Sequence, residues 1–125
     1  MSHIVCISVE VKDLEAIKSA CRRLELKEPA YGRTEIFQTE VEGVLVELGS
    51  DWIYPVCANL QTGELFYDNY GGQWGDKKYL DQFVQAYSIE KATLEARRKG
   101  YGVVEQPLAD GSVKLTLNVG NGGVA

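Results

Sequence analysis

The chain has 125 residues, a net charge of −5 and 45% hydrophobic residues, which is the size and composition of one globular domain. Its acidic balance lacks the positive field that attracts phosphate backbones, so a nucleic acid is not an expected partner. No apolar run approaches the length of a membrane span and no signal-peptide pattern is visible, so we expect a cytoplasmic protein without a membrane partner.

The first half of the chain reads as one strand, one helix and a run of strands. Alternating apolar and polar residues predict a strand over residues 4–11. Asp13 is placed to cap a helix that ends before Pro29. The apolar side of this helix carries Leu14, Ile17, Cys21 and Leu24. Four further strands are predicted over residues 33–41, 44–48, 52–60 and 64–67, with a turn at residues 42–43.

The second half of the chain predicts a long helix over residues 77–99, capped by Asp76 and ended by Gly100. An Asp-Gly turn then joins two strands, at residues 101–108 and 112–119. Since Val113, Leu115, Leu117 and Val119 share one face, we expect this hairpin to cover core.

The predicted order is β-α-β-β-β-β-α-β-β, in which strands follow one another in hairpins instead of alternating with helices. This order is typical of an α+β fold with a mainly antiparallel sheet, here of about six to seven strands with two helices. We expect a single domain over residues 1–119 and a flexible glycine-rich tail over residues 120–125.

Several segments resemble one known family. They are the opening Met-Ser-His, residues 13–17, Tyr87, Gly100-Tyr101 and the hairpin at residues 110–115. The chain resembles a family of unknown function, number twelve fifty-seven in the domain-of-unknown-function series. It includes the conserved hypothetical reading frame thirty-five of algal plastids and its cyanobacterial relatives. The resemblance spans nearly the whole chain and implies no catalytic residue. It implies an accessory role, because bacterial members tend to be encoded near an AAA-type ATPase.

Chemistry-bearing residues are few and scattered. His3 is the sole histidine, and on a regular strand it points away from Cys6, so no nucleophile and base pair is formed. The three cysteines fit no zinc template, and we expect them to be reduced. Asp68, Asp76 and Asp81 do not follow the calcium-loop spacing. We therefore predict no catalytic residue, no metal and no cofactor.

The glycine-rich segment before the long helix is the best candidate site. A glycine-rich turn that leads into a helix N-terminus can hold an anion, and its aromatic residues, with Tyr54, can line a pocket. Alternatively, the segment is a tight connection whose aromatics complete the core. The candidate ligand-binding residues are Tyr67, Asp68, Tyr70, Gly72, Trp74 and Asp76.

The long helix has a second unusual feature, since cations interrupt its apolar stripe. Lys91 and Arg98 fall on the stripe, where they either extend past the core edge or pair with an acid, which makes them candidate functional cations. Ile89, Ala92 and Ala96 lie on nearly the opposite side, as a candidate interaction surface for another chain or a second copy.

The function expected from these patterns is that of a non-catalytic accessory or protein-interaction protein. Its candidate partners are an AAA-type ATPase, by family association, and a second copy of the same chain. The alternative is a small-ligand or anion binder, or a minor enzyme, with its site around residues 67–81. The two are separated by whether the surface around Trp74 carries a cleft.

Overall fold

The computed structural model describes residues 5–7, 10–36, 39–49 and 51–118, with the backbone alone at residues 5–7. Two α-helices, seven strands and one short 3-10 turn lie within these ranges. In chain order they are β1 Val5–Ile7, α1 Leu14–Arg23, β2 Ala30–Ile36, β3 Thr39–Val46, β4 Val56–Ala58, β5 Leu65–Tyr67, the 3-10 turn Tyr70–Gly72, α2 Lys77–Arg98, β6 Gly102–Pro107 and β7 Val113–Asn118.

Five strands form one sheet in the order β1-β5-β4-β3-β2, and every neighbouring pair is antiparallel. Strands β6 and β7 form a second, two-stranded sheet. The predicted α+β class, the two helices and the order of elements are confirmed. The single sheet of six to seven strands is corrected to two sheets, because among the described residues the last hairpin pairs only with itself. The predicted tail lies outside the described residues.

The core lies between one face of the five-stranded sheet and the two helices, which also pack against each other. Alternate residues of the central strands point into it, as the period of two requires. Its best-buried members are Val44, Val46, Val56, Ala58 and Leu65 from the sheet, Ala16, Ile17, Ala20 and Cys21 from α1, and Leu80, Phe83 and Tyr87 from α2. Neither described helix is long and apolar enough to cross a membrane.

The helix boundaries follow the caps. The side chain of Asp13 accepts hydrogen bonds from the backbone amides of Glu15 and Ala16, and Asp76 accepts one from Lys78. Gly100 has a φ of 80°, the left-handed conformation that ends a helix at low steric cost. The predicted caps and the stop after α2 are confirmed.

The predicted turn at residues 42–43 is wrong, because both residues lie inside β3. Glycine is needed at position 43 for close packing: an added Cβ would lie 2.4 Å from the carbonyl oxygen of Ala58 on the neighbouring strand. The strand predicted over residues 52–60 is also shorter than expected. It begins after Pro55, whose missing N–H cannot join the ladder.

The hairpin of β6 and β7 lies along α2 and contributes no residue to the core, which corrects the expectation that it covers core. The side chain of Gln85 donates to the carbonyl of Gly111 at 3.0 Å and holds the tip of the hairpin. Leu117, on the face expected to be buried, is 47% exposed, and Val119 lies outside the described residues.

A guanidinium on α1 fastens the hairpin to both helices. Arg23 donates to Glu90 of α2 at 2.9 Å and forms a two-point pair with Glu105 of β6. The hydrogen bond from Arg23 lowers the pKa of the Glu105 carboxyl below its usual value. A two-stranded hairpin is only marginally stable by itself, so this pair fixes its position.

We expect Arg23→Ala to cost about 1 kcal/mol or less of global stability, since the pairs are partly exposed. Hydrogen exchange should nevertheless accelerate selectively at the amides of β6 and β7. Lys27→Ala, which removes an exposed pair with Glu47, is the matched control. Unchanged protection of the hairpin in Arg23→Ala would show that the ion pairs do not anchor it.

Candidate functional site

Three aromatic rings meet on the surface where the sheet connects to α2. The rings of Tyr70 and Trp74 stack with centroids 4.7 Å apart at 22°, and Tyr54 meets Trp74 edge-on at 5.5 Å and 70°. All three side chains are partly exposed, and the neighbouring Ile53 is 61% exposed. We call Tyr54, Tyr70 and Trp74 the aromatic platform.

Backbone hydrogen bonds hold the platform in place. The amide of Ile53 donates to the carbonyl of Trp74 at 3.0 Å, and the amide of Trp74 donates to the carbonyl of Asn69 at 2.9 Å. The buried side chain of Asn69 in turn donates to the carbonyl of Gly75 at 3.1 Å. The segment after β5 is therefore tied both to itself and to the chain that leads into β4.

Tyr67 does not belong to this surface. It is 5% exposed and packs edge-on against Trp52, with ring centroids 5.9 Å apart. Trp52 is itself fixed by a hydrogen bond from its indole Nε1 to the carbonyl of Asp76, at 3.1 Å. The prediction of Tyr67 as a ligand-binding residue is therefore corrected: strand alternation carries this ring into the core, while Tyr70 and Trp74 remain outside it.

Asp68 is the most unusual residue of the segment. It is 2% exposed, and its Oδ1 accepts a hydrogen bond from the amide of Tyr70 at 3.0 Å. Its Oδ2 is buried and accepts no hydrogen bond from the part of the chain that the structure describes. A buried carboxylate oxygen without a donor is costly, because it has lost its hydration and gained nothing in return. Continuing the register of Cys57 opposite Phe66 places Asp68 opposite Pro55, the residue that follows Tyr54 in the chain.

Gly72 and Asp76 have structural explanations within the segment. Gly72 has a φ of 104°, a conformation that favours glycine, and it faces open space. The Asp76 carboxylate accepts a hydrogen bond from the amide of Lys78 in the first turn of α2. Because this carboxylate already lies at the helix start, the electrostatics argue against a further anion at this point.

Two clefts share Trp52 in their walls, and one of them adjoins the platform at Tyr54. One of about 390 Å³ is lined by Thr34, Leu45, Glu47, Trp52, Ile53, Tyr54 and Pro55. A smaller one of about 190 Å³ is lined by Leu48, Gly49, Asp51, Trp52 and Tyr79. Each therefore has apolar walls and one acidic residue, and the first is large enough to seat a side chain or a small molecule.

The cations on the apolar stripe of α2 pair with acids, as one of the two predicted alternatives requires. The Nζ of Lys91 lies 3.2 Å from Asp13 and 3.0 Å from Glu95. Arg98 lies 3.4 Å from Glu15 and 3.8 Å from Asp13. Burial raises the pKa of the Asp13 carboxyl, but hydrogen bonds from the Ala16 amide and from Lys91 outweigh it and leave this pKa lowered. These pairs tie α2 to the start of α1, which is a structural role.

The candidate interaction surface on α2 is covered within the chain. Ile89 and Ala96 are 6% and 4% exposed, and Ala92 is partly buried. The hairpin packs along α2, so the second apolar side of the helix serves this intramolecular contact. The prediction that Ile89, Ala92 and Ala96 are available to another chain is therefore wrong.

The described residues contain no metal-binding group of three or more His, Cys, Asp or Glu side chains. Cys21 and Cys57 are free and buried, and burial raises the pKa of both thiols to about 11, which makes them poor nucleophiles. His3 and the side chain of Cys6 lie outside the described part of the chain.

No family model, no curated protein and no solved structure matches this chain. The site is therefore defined by its own geometry. Sequence reasoning selected Tyr70, Trp74 and Asp68 but missed Ile53 and Asn69. Asn69 carried no signal, since an Asn in a glycine-rich turn is ordinary. Ile53 follows a tryptophan in a segment read as a strand, and its exposure depends on where that strand begins.

Proposed function

We propose that this protein is a non-catalytic accessory protein that binds a protein partner through the aromatic platform and the cleft beside it. The observation that carries the proposal is the exposure of rigid aromatic rings next to Ile53. Tyrosine and tryptophan dominate binding hot spots, because they bury large apolar areas at low cost in side-chain entropy.

Rigidity supports this proposal. The rings of Tyr70 and Trp74 stack on each other, and backbone hydrogen bonds on both sides of Trp74 fix its position. A surface that is already ordered does not lose that entropy again on binding. The cleft beside Tyr54 offers a place for a projecting side chain of the partner.

The partner we propose is the AAA-type ATPase that the family resemblance implies, with both proteins in the cytoplasm. Self-association was expected through Ile89 and Ala96, and these residues are buried within the chain, so they do not support it. Affinity purification distinguishes an ATPase partner from a second copy bound through the platform, because a second copy would be recovered as the same chain.

Trp74→Ala is expected to weaken partner binding by about tenfold or more, as removal of a central aromatic hot spot does. The measurement is affinity purification of the full chain from its native host, followed by titration of the recovered partner. Tyr101→Ala is the control, since this partly buried ring lies beyond the far end of α2, about 30 Å away along the helix.

Two outcomes contradict the proposed function. One is that the wild-type chain recovers no stoichiometric protein partner. The other is that Trp74→Ala and Tyr101→Ala bind the partner equally well. Circular dichroism and urea unfolding of both variants establish that a loss of binding is not a loss of fold.

A second candidate function is the binding of a small molecule in the same cleft, whose volume of about 390 Å³ lies in the range of ligand sites. Affinity purification distinguishes this second function from the first. A small-molecule binder is purified without a protein partner and is stabilised by a host metabolite extract, and this stabilisation disappears in Trp74→Ala.

A further inference from the structure

We propose that Asp68 is the specificity-determining group of this surface and that it receives the ammonium group of a lysine side chain from the protein partner. This inference rests on the proposed function, because it names the chemistry by which the platform selects its partner.

The first observation is that the Asp68 carboxylate is only half satisfied. Oδ1 accepts a hydrogen bond from the Tyr70 amide, and the buried Oδ2 accepts none from residues 5–7, 10–36, 39–49 and 51–118. The lysines at the start of α2 are engaged elsewhere: Lys77 pairs with Asp81 at 3.0 Å, and Lys78 lies over the ring of Tyr79 at 5.1 Å. An incoming cation would supply the missing donor.

The second observation is that aromatic rings and acidic side chains lie in the part of the molecule around Asp68. Asp68 is bonded to the backbone of the platform residue Tyr70, so the methylene groups of a lysine at Asp68 can contact the rings and its charge is attracted by their faces. Glu47 lies in the cleft beside Tyr54, Asp51 lies in the cleft on Trp52, and the chain as a whole carries a charge of −5. Both the local and the overall charge are complementary to a basic partner.

The single vacant oxygen distinguishes between cations. An arginine guanidinium is favoured where it meets both oxygens of a carboxylate, and at Asp68 it would have to share Oδ1 with the Tyr70 amide. A divalent metal ion takes six or more oxygen ligands, and the described residues hold no group of three acidic, His or Cys ligands. A compact ammonium needs one strong acceptor and apolar walls for its stem.

Access to Asp68 is provided by the turn that follows it. Tyr70, Gly71 and Gly72 have φ values of 50°, 62° and 104°, and a Cβ added at Gly71 or Gly72 would meet no atom within 4 Å. The outer side of this turn is therefore unpacked. Small movements of Gly71 and Gly72 beside the carboxylate therefore meet no steric resistance, while the Tyr70 amide stays bonded to Oδ1.

The test uses the full chain labelled with 15N and two matched probes, Nα-acetyl-lysine-N-methylamide and its Nε-acetylated, uncharged counterpart. We expect the charged probe to shift the amide resonances of Gly71 and Gly72 saturably, and the uncharged probe to bind about tenfold or more weakly. Asp68→Asn keeps the shape and removes the charge, so it should reduce binding of the charged probe to the level of the uncharged one.

Three results would overturn the inference: equal binding of the two probes, wild-type affinity in Asp68→Asn, or the same amide shifts with potassium chloride alone, which would identify an alkali-metal site. If Asp68→Asn does not fold, the two probes on the wild-type chain decide the question. Failure here is separable from failure of the proposed function. If Trp74→Ala loses the partner and Asp68→Asn keeps it, the proposed function stands and the proposed lysine contact at Asp68 is wrong.

Discussion

Gly75→Ala is expected to lower the free energy of unfolding by about 3 kcal/mol, at the upper end of the usual cost of overpacking. A Cβ at this position would lie 2.4 Å from Cδ2 of Trp52 and 2.6 Å from its Cε2. The indole cannot retreat easily, because its Nε1 donates to the carbonyl of Asp76 and its ring packs against Tyr67. The new methyl group must therefore displace a core tryptophan or the segment that carries the platform.

Urea denaturation followed by circular dichroism measures this loss. Gly102→Ala is the matched control: it lies in β6 without a positive φ, and its added Cβ would meet Asn118 at an ordinary 3.6 Å. We expect that control to change stability by less than about 1 kcal/mol. Equal effects of the two substitutions would mean that Trp52 has room to move and that Gly75 is not a packing requirement.

The consequence for binding follows from the same contact. Gly75 adjoins Trp74, and the Asn69 side chain holds its carbonyl. A displaced Gly75 would move the platform as well as Trp52. Since the damage to binding and to stability would then share one cause, Gly75→Ala is unsuitable as a test of function. Trp74→Ala removes a platform ring and keeps the backbone hydrogen bonds of residue 74.

Local signals predicted the helices well. Asp13 and Asp76 were identifiable as caps, and Gly100 as a stop, because each acts on backbone groups within a few residues of itself. The signal at residues 42–43 misled for the opposite reason. The glycine there meets Ala58 from a strand more than a dozen residues away, and no local pattern reports such an approach.

The pattern on α2 shows a related limit. Two apolar sides of a helix require two neighbours, and the sequence indicated both sides correctly. It does not say whether the second neighbour is another chain or the hairpin that follows. Asp13 and Glu15, which pair with Lys91 and Arg98 across the two helices, likewise lie at the start of α1, about 80 residues away along the chain.

The candidate site was predictable as a segment but not residue by residue. Glycine and aromatic content marked residues 67–76, yet strand alternation divides the aromatics between core and surface only once the end of β5 is known. The unpaired oxygen of Asp68 had no signal, because an aspartate before a turn is usually exposed. Burial turns this ordinary residue into the most informative one at the site.

Tyr87→Phe is expected to lower the free energy of unfolding by about 2 kcal/mol, although it removes a single oxygen atom. The hydroxyl of Tyr87 accepts hydrogen bonds from the backbone amides of Lys12 and Asp13, each at 3.1 Å. Phenylalanine would leave both donors without this acceptor, at the point where Asp13 caps α1 and Lys91 pairs with it.

The control is Tyr79→Phe, a partly buried tyrosine on the same helix for which the described residues supply no hydroxyl partner, and it should cost less than about 0.5 kcal/mol. Hydrogen exchange should locate the loss in Tyr87→Phe at the first turn of α1. Equal unfolding free energies for the two variants would show that the hydroxyl does not stabilise this junction. Because Tyr87 lies three turns along α2 from the platform, the charged lysine probe should still bind Tyr87→Phe with unchanged affinity.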